Sequence, residues 1–233
     1  MVHEKDSLLS IITSDESALP ISFYEIVKRA IDLTGAFFLC ILFLPVAIGT
    51  VAAIVADSPG PVFADTPERV GKNGKPFKMY KFRSMIINAH NILREDPKYR
   101  KLYEKYKNGS YKLLEDPRVT RVGKFIRRHS IDEIPQLLNV IAGDMSLVGP
   151  RAYYPDELRE QQKKYPETRA LVKEVLSIRP GITGVWQVSG RSEVHFDKRI
   201  AIDARYARRK SIAQDISILL HTPKVMITGK GAV

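Results

Sequence analysis

Leu33-Thr34-Gly35-Ala36-Phe37-Phe38-Leu39-Cys40-Ile41-Leu42-Phe43-Leu44-Pro45-Val46-Ala47-Ile48-Gly49-Thr50-Val51-Ala52-Ala53-Ile54-Val55-Ala56 is a run of 24 residues without a charge. As one straight helix it is about 36 Å long, enough to cross the hydrocarbon core of a bilayer. The alternative is a wholly buried helix of a soluble domain, and the length of the run weighs against it. Pro45 falls in the middle, has no N–H and predicts a kink. Basic residues stand on both flanks, Lys28 and Arg29 before, and Arg69, Lys72, Lys75, Lys78 and Lys81 after. Such flanks give no inside–outside asymmetry. They suit a re-entrant helix that bends at Pro45 and leaves by the face it entered. A simple span, with the basic remainder in the cytoplasm, stays open.

Ahead of this run, residues 1–22 read as a loosely ordered tail, with Asp15, Glu16 and Pro20 breaking any pattern. The first 29 residues are mixed and polar, so no signal peptide is expected. The chain has 233 residues, a formal charge of +11 and a pI of about 9.7. That excess is compatible with nucleic acid, an anionic membrane surface or phosphorylated substrates. Cys40 is the only cysteine, which excludes intrachain disulfides and Cys-ligated metal sites. The histidines show no HxxxH or HExxH spacing, which argues against zinc.

After the apolar run, Ser58-Pro59-Gly60-Pro61 is a chain-reversing exit. A hairpin is predicted beyond it: Val62-Phe63-Ala64 leads in, Gly71-Lys72-Asn73-Gly74 turns, and Phe77 to Phe82 alternates like a strand. That strand ends in Lys81-Phe82-Arg83, two cations on one face. Residues 86–114 interleave Tyr99, Tyr103, Tyr106 and Tyr111 with Lys and Arg. The segment reads as a solvated helical insertion, with an interfacial helix or a single-stranded nucleic-acid surface as the other readings. Pro155 to Ile178 predicts one or two surface helices with Leu171, Val172, Val175 and Leu176 inward. Arg179 to Arg191, with three glycines between its arginines, predicts a loop–strand–loop whose backbone a ligand can approach. Ala201 to Met226 is a basic helical region turning apolar and interrupted at Pro223, either a core helix or a membrane-surface one. The fold class is α+β and mainly helical.

The chemistry concentrates in Arg127-Arg128-His129-Ser130-Ile131-Asp132-Glu133-Ile134-Pro135-Gln136 and in Gly149-Pro150-Arg151. Ser130 and Glu133 have capping-box spacing, and Ile134, Leu137, Leu138 and Ile141 then recur at helical period. Asp132 is thereby placed at a helix N-terminus, where free N–H groups and the dipole favour an ionised carboxylate. An Asp-Glu pair alone is an ordinary cap. Arg127, Arg128, Arg151 and Arg121 around it change the reading, because guanidiniums grip phosphate oxygens in a bidentate fork.

Several motifs in order carry a resemblance: Lys28-Arg29-Ala30-Ile31-Asp32, Gly60-Pro61-Val62-Phe63, Lys81-Phe82-Arg83-Ser84-Met85, Asp116-Pro117-Arg118-Val119-Thr120, Ser130 to Gln136, Gly143 to Arg151, Arg179 to Gly184, and Gly229-Lys230-Gly231-Ala232. Across Tyr24 to Val233 the chain resembles the monotopic phosphoglycosyl transferases, bacterial sugar transferases that begin the assembly of surface polysaccharides. The resemblance implies transfer of a sugar-1-phosphate from a UDP-sugar to undecaprenyl phosphate with release of UMP. It implies Asp132 as nucleophile and Glu133 as its partner, a covalent aspartyl-phosphosugar, and Mg²⁺ at Asp132. Arg127, Arg151 and Arg191 match arginines of the family's active site, and Lys81, Arg83, Arg179 and Gln187 complete the candidate substrate-binding set. The expected organisation is a tail over 1–22, a re-entrant membrane helix over 23–57 and a catalytic domain over 58–233 with interfacial amphipathic helices. The domain is expected on the cytoplasmic face of the inner membrane, in contact with phospholipid. Nucleic acid is not an expected partner, and self-association is left open. Leu44 before Pro45 and Ala152 after Arg151 depart from the family's usual Ser and Pro.

Overall fold

A computed structural model describes residues 22–108, 113, 115–189 and 195–228. The tail over 1–21, Tyr111, Arg191 and the closing Gly229-Lys230-Gly231-Ala232 lie outside the described residues. Helix α1, Phe23–Asp57, is a single 35-residue helix that runs through Pro45. Ser22 caps it, its side chain accepting from the Glu25 N–H. Only 11% of its apolar window is buried, so it is not the core helix of a soluble domain. Its four buried residues, Asp32, Ala36, Thr50 and Ile54, fall on one stripe at helical spacing. The opposite face leaves Phe37, Phe38, Ile41, Leu42, Leu44 and Ile48 more than half exposed.

The remainder of the chain grips α1 at both ends. Near the start, buried Asp32 accepts from the Ser146 hydroxyl and the Leu147 N–H, each at 3.0 Å, and from Lys28 at 3.2 Å. Lys28 also reaches Asp215 at 3.1 Å, and Arg29 donates to the Val140 and Ile141 carbonyls. At the far end, Arg83 donates to the Ser58 and Pro59 carbonyls at 2.7 Å each, and Asp57 accepts from the Val122 N–H at 3.2 Å.

Strands β1 (Arg69–Val70) and β2 (Pro76–Phe77) form the small antiparallel hairpin, with Asn73 at φ 55° in its turn. The lead-in also pairs, Ala64 N–H with the Lys81 carbonyl and Arg83 N–H with the Val62 carbonyl. The expected strand over 77–82 does not form continuously. Its backbone partner is the fully buried Asn139 side chain, which accepts from Tyr80 N–H and donates to the Lys78 carbonyl, both at 2.9 Å.

The insertion carries α2 (Ala89–Glu95) and α3 (Arg100–Asn108), followed by α4 (Arg121–Arg128), α5 (Gln136–Ala142) and strand β3 (Ser146–Val148). Where one or two surface helices were expected, two form, α6 (Pro155–Lys164) and α7 (Arg169–Leu176), and Val172, Val175 and Leu176 are buried. Strand β4 (Gly181–Thr183) pairs parallel with β3, Ser146 opposite Gly181. A Cβ on Gly181 would lie 2.0 Å from the Gly149 nitrogen, so these two chains approach closely only because both are glycine there. The expected loop–strand–loop is corrected beyond Gly184, where Val185–Ser189 forms a short helix, α8. Helices α9 (Phe196–Arg209) and α10 (Ile212–Thr228) complete the chain, and α10 continues through Pro223 rather than stopping at it. The main core joins Ala36 of α1 to Phe77, Leu137, Val140, Leu147, Tyr206 and Ile218. A second core packs Tyr153, Leu158, Val172, Phe196 and Ile200 beneath α6 and α9.

Candidate active site

The turn before α5 differs from a capping box. Ser130 adopts φ 56°, ψ 23°, outside the extended region a cap needs, and its side chain makes no cap bond. Ile131–Glu133 is one 3₁₀ turn, and the α-helix begins only at Gln136, after Pro135. The missing N–H of Pro135 therefore costs nothing. The Asp132 carbonyl accepts the Phe82 N–H at 2.9 Å, locking this turn to the chain around Lys81.

That lock brings three sequence candidates together. Lys81 Nζ donates to Glu133 Oε1 at 2.7 Å and lies 3.8 Å from Asp132 Oδ2. Burial works against the Lys81 ammonium, but the combined pull of Glu133 and Asp132 outweighs it and holds its pKa up. Asp132 is 7% exposed. Burial, reinforced by Glu133, pushes its carboxyl above the usual range against the opposing pull of Lys81 and Arg127. Burial thus opposes the ionised form of Asp132 that a helix N-terminus alone would favour.

Asp132, Glu133 and Lys81 line a cavity of about 730 Å³, together with Arg83, Arg127, Arg151 and Gln187. Ile31, Gly35, Phe38, Leu39 and Phe43 of α1 form another part of its wall. Arg83 borders the cavity while its guanidinium clasps the end of α1. Arg179 does not line it; its Nε donates to the Gly143 carbonyl at 2.8 Å. Arg121 faces a separate apolar groove between α1 and α4.

Arg151 is positioned by residues that sequence reasoning missed. Its guanidinium is 3.7 Å from Glu157, and its backbone N–H donates to Asp203 at 3.3 Å. Glu157 is fully buried and accepts from Arg199 at 2.7 Å. Tyr153 donates to Asp203 at 3.1 Å. Burial raises the Asp203 carboxyl to about 7 although Arg151, Tyr153 and Arg199 favour its charge. The available signal was the spacing of Arg199 and Asp203, one turn apart on the face that carries Phe196 and Ile200. Glu157 gave none, since an acid in a helix's first turn reads as a dipole partner.

Among the described residues no cluster of three His, Cys, Asp or Glu side chains can hold a metal. Asp132 and Glu133 offer two adjacent carboxylates. That donor set suits Mg²⁺, a hard cation that commonly takes one or two protein carboxylates and completes its shell with phosphate oxygens and water.

The chain belongs to the bacterial sugar transferase family, whose model matches residues 23–229. It is 41% identical over 209 residues to the undecaprenyl-phosphate galactose phosphotransferase of Salmonella typhimurium, a match covering 88% of this chain and 41% of that protein. It is 43% identical over 208 residues to the galactosyl transferase CpsE of Streptococcus agalactiae, covering 89% and 43%. With the exopolysaccharide production protein ExoY of Rhizobium meliloti it shares 37% over 206 residues, covering 88% and 87%. The chain thus spans about two fifths of the first two relatives and most of the third.

Proposed function

We propose that this protein transfers a sugar-1-phosphate from a UDP-sugar to undecaprenyl phosphate, releasing UMP, at the cytoplasmic face of the inner membrane. The observation that carries this reading is a buried aspartate beside a lysine, in a cation-bearing cavity whose wall includes a helix long and apolar enough for a membrane. The names of the Salmonella relative and of the UDP-galactose-lipid carrier transferase of Erwinia amylovora support the substrate classes.

Asp132 attacks the phosphorus that bears the sugar. A bond forms from its carboxylate oxygen to phosphorus as the bridging P–O bond breaks, and UMP leaves with the bonding pair. An oxygen of undecaprenyl phosphate then attacks the same phosphorus, and the aspartyl bond breaks to restore the carboxylate. A carboxylate approaches a pyrophosphate only when charge is neutralised. Lys81 is close enough to do this for Asp132, and Glu133 holds Lys81 in place. Arg127 and Arg151 bind phosphate oxygens, with Gln187 and Arg83 at the same wall; Arg191 is assigned here by its place in the family pattern alone. Mg²⁺, held by Asp132 and Glu133 when bound, supplies further neutralisation of phosphate charge.

Helix α1 is re-entrant in this reading, and residues 58–233 form the catalytic domain. Its support is that one body of residues grips both ends of α1 while the middle exposes apolar side chains. A straight span would carry those ends to opposite faces, because 35 residues extend about 52 Å. Phe125 on α4, Leu138 and Ile141 on α5 and Leu220 on α10 are exposed apolar residues suited to the lipid interface.

The test is UMP release by detergent-solubilised protein given Mg²⁺, undecaprenyl phosphate and a panel of UDP-sugars. Turnover with at least one donor, dependent on the lipid phosphate, is expected. No release with any donor contradicts the reading.

A further inference from the structure

The cations along the cavity are mostly answered by nearby acceptors. Lys81 lies between Glu133 and Asp132, Arg151 stands against Glu157, and Arg118 pairs with Asp116. Arg83 has two carbonyls at the end of α1. Arg69 differs. It is 7% exposed, and its Nη1 donates to the Ala152 carbonyl at 3.0 Å. Its guanidinium carbon lies 3.3 Å from the centre of the Tyr154 ring. Its Nε is buried without an acceptor, and among the described residues no carboxylate pairs with it.

Burying a guanidinium without an anion costs several kcal/mol, roughly the penalty that paired charges avoid. Arg69 also lines the same cavity as Asp132, and its charge bears unfavourably on both Lys81 and Arg151. An anion entering the cavity relieves all three at once.

Beyond Arg69 the wall changes character to Tyr154, Tyr106, Leu93 and His90. Burial and the neighbouring Arg94 push the His90 imidazole down to about 4, so the ring is neutral near pH 7. The insertion that carries Tyr106 is pinned to α6 by Arg94 on Asp156 and by Lys107 on Glu160 at 3.0 Å. This end therefore pairs a cation that has no carboxylate among the described residues with a neutral aromatic wall, a combination that fits a phosphate joined to a flat base.

We infer that the Arg69–Tyr154 end of the cavity is the subsite for the nucleoside monophosphate half of the donor: Arg69 grips the phosphate that leaves, and Tyr154, Tyr106 and His90 receive the pyrimidine ring. The inference rests on the UDP-sugar reading above. With the sugar-bearing phosphorus at Asp132, Arg69 on the wall of the same cavity is left to take the second phosphate.

Titration calorimetry with UMP on the full-length protein in detergent tests it. Arg69→Gln weakens UMP binding about 10- to 100-fold, the effect of losing a charge-assisted hydrogen bond. Arg69→Lys weakens it about tenfold, because an ammonium keeps the charge and loses the fork. Without nucleotide, Arg69→Gln melts no lower than the wild type, while the rise in Tm that UMP produces shrinks. A purely structural Arg69 gives the reverse pair, a lower Tm with undiminished UMP affinity, and that result overturns the subsite. Equal UMP affinity in wild type and Arg69→Gln overturns the subsite alone. A wild-type protein that does not bind UMP overturns both the subsite and the UDP-sugar reading.

Discussion

Two acidic pairs, one lining the cavity and one set behind Arg151, are built differently. In one, Asp132 and Glu133 share a single lysine, and the Glu133 side chain is 35% exposed. In the other, Glu157 and Asp203 are sealed, served by Arg151, Arg199 and the Tyr153 hydroxyl. The first leaves carboxylate oxygens facing space that a substrate can enter. In the second, Glu157 faces the Arg151 and Arg199 guanidiniums while Asp203 accepts from the Tyr153 hydroxyl and the Arg151 backbone N–H, which fixes where Arg151 presents itself. Acid content does not separate a reacting site from a supporting one here. What separates them is access: Asp132 and Glu133 line the cavity, and Glu157 and Asp203 do not.

The largest expected effect sharpens that contrast at its reactive side. Asp132→Asn should lower lipid-dependent UMP release by at least about 10³-fold, the scale of losing a covalent nucleophile. Its Tm should not fall, because burial already disfavours the ionised carboxylate. Loss of folding along with activity would mean that Asp132 belongs with the supporting cluster.

Glu157→Gln probes the sealed side. It leaves Arg199, 2% exposed, facing a neutral partner and loosens Arg151. Breaking a buried pair costs about 3–5 kcal/mol, so a large fall in Tm is expected with a smaller loss of turnover. A variant as stable as the wild type would break the comparison.

Asp203 gives the third and smallest effect, read through pH. Its folded carboxyl, near 7, lies above the unfolded value, so the folded state retains a proton that the unfolded state releases. Stability from this group is full below the unfolded carboxylate range and is lost as pH rises toward 7. The shift corresponds to at most about 4 kcal/mol at roughly 1.4 kcal/mol per pH unit. Asp203→Asn should flatten this decline in denaturation profiles recorded from pH 4 to 8. An unchanged profile would assign the dependence to another group.

Local pattern made part of this legible. An uncharged run was enough for α1, and a carboxylate pair among arginines pointed to residues that do line the cavity, Asp132 and Glu133. What stayed hidden depends on partners far apart in the chain. Asp32 was visible only as an isolated charge, and its partners Ser146 and Leu147 are more than a hundred residues away. The 77–82 strand looked complete by alternation, yet Asn139 from α5 supplies its hydrogen bonds. The capping box failed because the Asp132 carbonyl is committed to Phe82, which fixes a tighter turn than a cap allows. Arg69 read as one more basic residue flanking the apolar run, since nothing in sequence order reports its burial under Tyr154.

The central claim is that Asp132 itself carries the sugar phosphate between donor and lipid. Intact-mass measurement after incubation with a UDP-sugar and Mg²⁺, with undecaprenyl phosphate withheld, addresses it directly. The account predicts a mass increase of one phosphosugar, mapped by proteolysis to Asp132, absent from Asp132→Asn and removed when lipid phosphate is added. Normal turnover with no such adduct, or an adduct on another residue, contradicts it.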